Sequence, residues 1–286
     1  MNEQKLDHRR KYYMILDCET ATLPYAAKYS GEERKRIAIA KPLIYDFGYQ
    51  IIDCYGKVYR RRSFLVTEIF SVPAVFNTAY YASKRPMYVE KLKKGEIVLK
   101  SWEEIIAIFE YDLAEVAAVG AYNSMFDFKK AIPFTEQYIE KLYSDSYFEW
   151  EARQNDICDR LASGQKANKD PNFDGENFIL RGKKYPLFDV MALACEHLIN
   201  NDEYKQTCID NEWKTKTGKY FPTTAEKVYA FASGNYDFEE AHTAIEDSEI
   251  ETFLFSLVTK KTKHHFTKGL VYFPFRILGK VEDFSY

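Results

Sequence analysis

The chain has 286 residues, 46% hydrophobic and 29% charged, enough for one large α/β domain with insertions or for a catalytic domain with a small lobe. Forty Lys and Arg against 43 Asp and Glu leave a net charge of −3, which excludes gathering nucleic acid by global attraction and leaves local basic patches or metal ions to hold a polyanion. Five cysteines without a C-x-x-C spacing argue against a disulfide framework or a zinc site, and with a polar N-terminus and no run of ~18 apolar residues they predict a cytoplasmic protein that crosses no membrane.

In chain order, Tyr12 to Leu16 is a short apolar run ending at Asp17, read as a buried strand. Ile44 to Ile52 and Val58 to Val66 are β-prone, and Asp53-Cys-Tyr-Gly-Lys57 between them predicts a hairpin turn. Ser101-Trp-Glu-Glu104 is a capping-box pattern opening a helix. Val116 to Tyr122 predicts another buried strand followed by a helix, and Pro186 to Val190 a last strand running into a helix through Ile199. From Ile250 onward Phe253, Leu254, Leu257 and Val258 have the spacing of one buried helical face. Hairpin strands followed by alternating strands and helices predict a mixed sheet covered by helices. Ser144–Asn177 and Asn200–Thr223 are polar additions, with an exposed loop expected from Gly164 to Gly175. The expected division is a catalytic domain over 1–264 and an aromatic tail over 265–286.

Three short patterns carry chemistry. Asp17 and Glu19 are two apart on a strand and so project on one face, where they can share a divalent cation. Spacing alone does not select them, because Asp-x-Glu occurs five times, at Asp17, Asp174, Asp210, Asp237 and Asp247. Only Asp17 follows an apolar strand, where a charged pair is costly unless it is matched. Asp127 closes Asn123-Ser-Met-Phe-Asp127 after the strand Val116 to Tyr122; alone it reads as a helix-start acid. His242 precedes Asp247 by five residues, placing it on the loop before the last helix; His197 and Asp202 repeat that separation as a decoy.

Together and in order, these elements resemble the three motifs of the DnaQ-like (DEDDh) 3′–5′ exonucleases: D-x-E-T at Asp17-Cys-Glu-Thr20, N-x-x-F-D at Asn123–Asp127 and H-x-A-x-x-D at His242–Asp247. The sister subclass has Tyr where this chain has Thr243. The resemblance covers residues 12–135 and 187–260 in fragments, and Ala21-Thr22 departs from the family's usual continuation after Thr20.

The resemblance implies an RNase H-like α/β fold, a mixed sheet with three antiparallel first strands flanked by helices, plus the two insertions. It implies two Mg²⁺ or Mn²⁺ ions held by Asp17, Glu19, Asp127 and Asp247. Asp17 would bridge them, Glu19 and Asp247 would hold the ion with the attacking water, and Asp127 would support the other. Four carboxylates without a cysteine or histidine cluster suit such hard cations. His242 would be the general base. Thr20, Asn123 and Phe126 would contact the terminal nucleotide, Phe126 being equally readable as a core aromatic, while Asp189 would be structural. Val75–Tyr81, with Phe76, Tyr80 and Tyr81, is a candidate stacking wall. Arg60–Arg62, Lys91 with Lys93 and Lys94, and Lys260–His265 are candidate guides for the strand, each also readable as a solvated surface. The expected activity is release of nucleoside monophosphates from single-stranded 3′ ends, DNA before RNA, with a replication protein as a candidate partner. The alternatives are an RNA-trimming 3′–5′ exoribonuclease and a non-catalytic, polymerase-associated module on the same fold.

Overall fold

The computed structural model describes residues 6, 7, 9–165, 176–263 and 274–284. Seven strands, β1 Tyr13–Ala21, β2 Leu43–Ile52, β3 Val58–Val66, β4 Val98–Lys100, β5 Ala118–Ala121, β6 Asn177–Leu180 and β7 Lys183–Asp189, form one mixed sheet in the order β4-β3-β2-β1-β5-β7-β6. The β1-β2 and β2-β3 pairs are antiparallel, and β1-β5 and β5-β7 are parallel. The predicted turn at Asp53 holds because its carboxylate accepts the N–H groups of Tyr55 and Lys57, while Gly56 takes the positive φ the turn demands. The capping box at Ser101 is present and opens the helix Trp102–Leu113.

Alternation along β1 separates two cores. Met14 and Leu16 face the larger one, with the helices Trp102–Leu113 and Ile132–Leu142. Ile15 and Tyr13 face the smaller one, with the helices Val190–His197 and Ala244–Lys261. The strand does not stop at Asp17 as expected. It continues to Ala21 because β2 pairs with it throughout, with a bulge between Glu19 and Thr20. On its other side β5 pairs only from Tyr13 to Ile15. Asp17 and Glu19 therefore lie beyond the end of the β1-β5 ladder, in the mouth that parallel strands open at their carboxyl ends.

The additions are ordered where described. The helix Tyr147–Ala162 packs on the helix Gly31–Ala40, with Arg36 donating to the carbonyls of Leu161 and Ala162 and Lys28 paired with Asp159 at 2.9 Å. Most of the expected 164–175 loop, from 166 on, lies outside the described residues. The second insertion contains the helix Asp202–Asp210 and buries Tyr204, Cys208 and Phe221 in the smaller core. Residues 264–273 lie outside the described ones, but Leu278 is buried in that core and Tyr220 bridges Lys280, so this part of the tail docks on the second insertion. Among the described residues no helix is long and apolar enough to cross a membrane.

Candidate active site

Three devices on β2 place the last helix over β1. Asp46, opposite Glu19, accepts the N–H of Ala244 at 3.0 Å and the Tyr88 hydroxyl at 2.8 Å. Gly48, opposite Asp17, allows the helix backbone to lie against the strand: a Cβ there would meet Ile245 N at 2.5 Å. Gln50 receives the Thr252 hydroxyl at 2.9 Å. The helix axis is thus fixed along β2, and Asp247 in its first turn hangs over Asp17 and Glu19.

Asp127 arrives by another route. Asn123 takes a left-handed φ of 69°, tolerable for Asn, and turns the chain out of β5. Asp189 holds that turn: one oxygen accepts Ser124 N–H at 2.9 Å and the other caps the next helix at Ala192 N–H, also at 2.9 Å. The structural role expected for Asp189 is therefore seen. The segment Asp127–Ala131 has π-helical pairing, an irregularity common at functional sites, and Asp127 is only 2% exposed. The Cys18 thiol donates to the carboxylate of Asp127.

The four acids and the histidine predicted from the sequence are thus brought together. Ligand atoms of Glu19, His242 and Asp247 lie within 4.8 Å of one another. Behind them, Asp17 and Asp127 interact directly. Burial and mutual repulsion raise every carboxyl: Asp17 well above its usual range by burial and Asp127, Glu19 by burial and Asp17, and Asp247 to about 9 by burial and Asp17. Asp127 is raised chiefly by burial. Oδ1 of Asp127 and Oδ1 of Asp247 are buried with no partner in the protein. Like charges ~4 Å apart repel by about 4 kcal/mol even at an effective dielectric of ~20, so the cluster calls for a counter-charge.

His242 has a φ of 50°, a backbone strained for a non-glycine residue. Its ring stacks on Tyr81, centroids 4.3 Å apart and planes 18° off parallel, and its Nδ1 is 3.6 Å from Glu240. Burial and then Lys84 lower its pKa. Burial raises Glu240 to about 7.

Other expectations are corrected. Phe76 is fully buried in the core and cannot stack on a base; of its segment, Tyr81 lies on His242 and Tyr80 is 88% exposed. Arg60–Arg62 is not a free basic patch: Arg60 and Arg62 both pair with the buried Asp112, and Arg61 pairs with Glu249. Lys91 pairs with Glu246 and Lys93 with Glu90. Of the Lys260–His265 stretch, His264 and His265 lie outside the described residues. Thr20 is partly exposed beside the bulge, Asn123 is exposed, and Phe126 packs partly against the larger core. The decoy His197 ends its helix with Nε2 3.8 Å from Glu196 and is not in the Glu19–His242–Asp247 group.

Sequence reasoning missed Asp46, Glu240 and Glu251. Glu251 is 2% exposed and accepts the Tyr122 N–H, while its Oε2 has no partner. The available signals were an acid inside the apolar strand at Asp46 and an acid four residues after Asp247 on an apolar helix face. No family model, curated protein or solved structure matches the chain.

Proposed function

We propose that the chain is a two-metal-ion 3′–5′ exonuclease of RNase H-like fold, a DnaQ-like enzyme of the DEDDh type, acting on single-stranded 3′ ends, DNA before RNA, and releasing nucleoside monophosphates. One observation carries this reading. Four carboxylates from three separate segments converge beyond the β1-β5 ladder with buried oxygens left unpartnered, beside a histidine held neutral. The order β3-β2-β1-β5-β7, antiparallel then parallel, supports the fold assignment.

The donor set fits a pair of hard divalent cations, because all the groups gathered there except His242 are carboxylates and the orphaned oxygens need positive charge. Asp17, Glu19, Asp127 and Asp247 would hold Mg²⁺ or Mn²⁺, which when bound would offset phosphodiester charge and lower the pKa of water. The protein's own contribution is positional. Tyr81 stacks on the imidazole of His242, and its lowered pKa keeps the ring free to take the proton of the attacking water near neutral pH. Asn123 and Tyr80 are exposed and Thr20, at the bulge, is partly so, leaving them accessible to a terminal nucleotide. Five free cysteines suit a reducing compartment, the cytoplasm.

The test is digestion of labelled DNA and RNA oligomers with EDTA and Mg²⁺ or Mn²⁺ add-back. Metal-dependent release of mononucleotides is expected, with a bulky 3′ block protecting the strand and a 5′ label not. Full activity after exhaustive chelation, or cutting of closed circles, would sink the reading. A strong preference for RNA would move the substrate to the exoribonuclease alternative.

A further inference from the structure

This inference rests on the metal-dependent reading above and extends the ligand set. The helix Ala244–Lys261 packs Ile250, Leu254, Phe255 and Val258 into the smaller core, and one carboxylate interrupts that buried side. Glu251 lies one turn beyond Asp247, on the same face of the helix. Through its bond to Tyr122 N–H it is anchored where β5 ends and the Asp127 segment begins. Its charged neighbours are, in order, Asp17, Asp127 and Asp247.

Beyond the Tyr122 N–H, no group among the described residues answers this carboxylate. Oε2 of Glu251 and Oδ1 of Asp127 are both buried and unpartnered, on residues each 2% exposed, and they come from different elements meeting at Asp17. An unsatisfied buried acceptor costs roughly 1–3 kcal/mol, and more if charged. A leucine would fill the same stripe at no such cost. Its nearest charged neighbours are also acids, so they supply it no positive charge. We propose that Glu251 is a fifth carboxylate ligand, which with Asp17 and Asp127 holds the inner of two divalent cations, while Glu19 and Asp247 hold the outer one beside His242.

The experiment is Mn²⁺ binding to the full chain by equilibrium dialysis and calorimetry, wild type against Glu251→Gln. Gln keeps a carbonyl acceptor for Tyr122 N–H and removes only the charged ligand. Wild type is expected to bind two Mn²⁺. The variant should keep one at unchanged affinity and lose at least about tenfold at the other, a loss typical even of an outer-shell partner. Two Mn²⁺ at wild-type affinities in Glu251→Gln overturns the inference and leaves the nuclease reading standing. If wild type binds none, both fall. If the variant loses one ion but the wild type degrades neither DNA nor RNA, Glu251 stands as a ligand and the nuclease reading falls. Should Glu251→Gln fail to fold, Glu251→Asp keeps the charge on a shorter stem and should bind the second ion more weakly; wild-type affinities there overturn the inference.

Discussion

On the proposed reading, His242 is the residue that would separate a catalytic centre from a mere acidic trap for cations. It sits before the helix rather than on it, its ring stacks on Tyr81, and its pKa is lowered. His242→Ala should therefore leave Mn²⁺ binding nearly intact while slowing single-turnover hydrolysis by about 10²–10⁴-fold. Activity needs the neutral ring. The rate should then rise with pH along a limb lying below the ordinary histidine value of ~6.5 and level off by neutrality. His197→Ala is the control and should change neither rate nor profile. A His242→Ala enzyme with wild-type rate and profile would remove the third motif from the mechanism. Residue identities at this centre were readable where a costly group stood in a telling context: Asp17 after an apolar run, His242 and Asp247 at a helix start. Glu251 was not, because helical spacing cannot say whether one acid in an apolar stripe lies at its edge or its middle.

Elements were readable where periodicity or turn chemistry spoke. The β2-β3 hairpin, the capped helix after Ser101 and the last helix stand close to their expected places. Extents were less so: β5 spans Ala118–Ala121 rather than Val116 to Tyr122, and the helix after β7 ends at His197 rather than Ile199, since ladder partners and helix ends are set by tertiary contacts. The Arg60–Arg62 run misled because charge in a sequence does not reveal its partners. Arg60 and Arg62 bracket Asp112 from β3, and Tyr49 donates to the same carboxylate at 2.8 Å. Asp112→Asn should cost about 3–5 kcal/mol in urea unfolding, because two guanidinium groups lose their shared counter-charge. Gly48 is the tightest point between sheet and helix at the site. Gly48→Ala should push the start of the last helix off β2, destabilise by about 1–3 kcal/mol and weaken the Mn²⁺-induced thermal shift. A Gly48→Ala protein with unaltered melting and metal response would show that the helix can slide without consequence.

At the scale of the whole molecule, the centre opposes folding. Asp247 is raised from 3.8 to about 9, and Asp17, Glu19 and Glu251 are raised well above their usual values. Between the unfolded and folded values the folded state holds protons that the unfolded chain has released, so stability falls as pH rises across that window. Metal-free protein should melt at a higher temperature near pH 5 than near pH 8, and Mn²⁺ should raise the midpoint more at pH 8. A metal-free midpoint that climbs from pH 5 to pH 8 would show that the acids are not raised together.

The placement of Asp247 and Glu251 on the helix Ala244–Lys261 has a consequence for biosynthesis. Every strand of the sheet precedes that helix in the chain, so a nascent chain can pair its strands on the ribosome while the smaller core still gapes. Until the helix emerges and docks along β2, Asp17 and Glu19 lack Asp247 and Glu251, although Asp127 already stands beside Asp17. Translation arrested before Ala244 would thus yield a stub lacking Asp247 and Glu251, and on the proposed reading the chain would acquire the power to cut only once its own synthesis had passed that point.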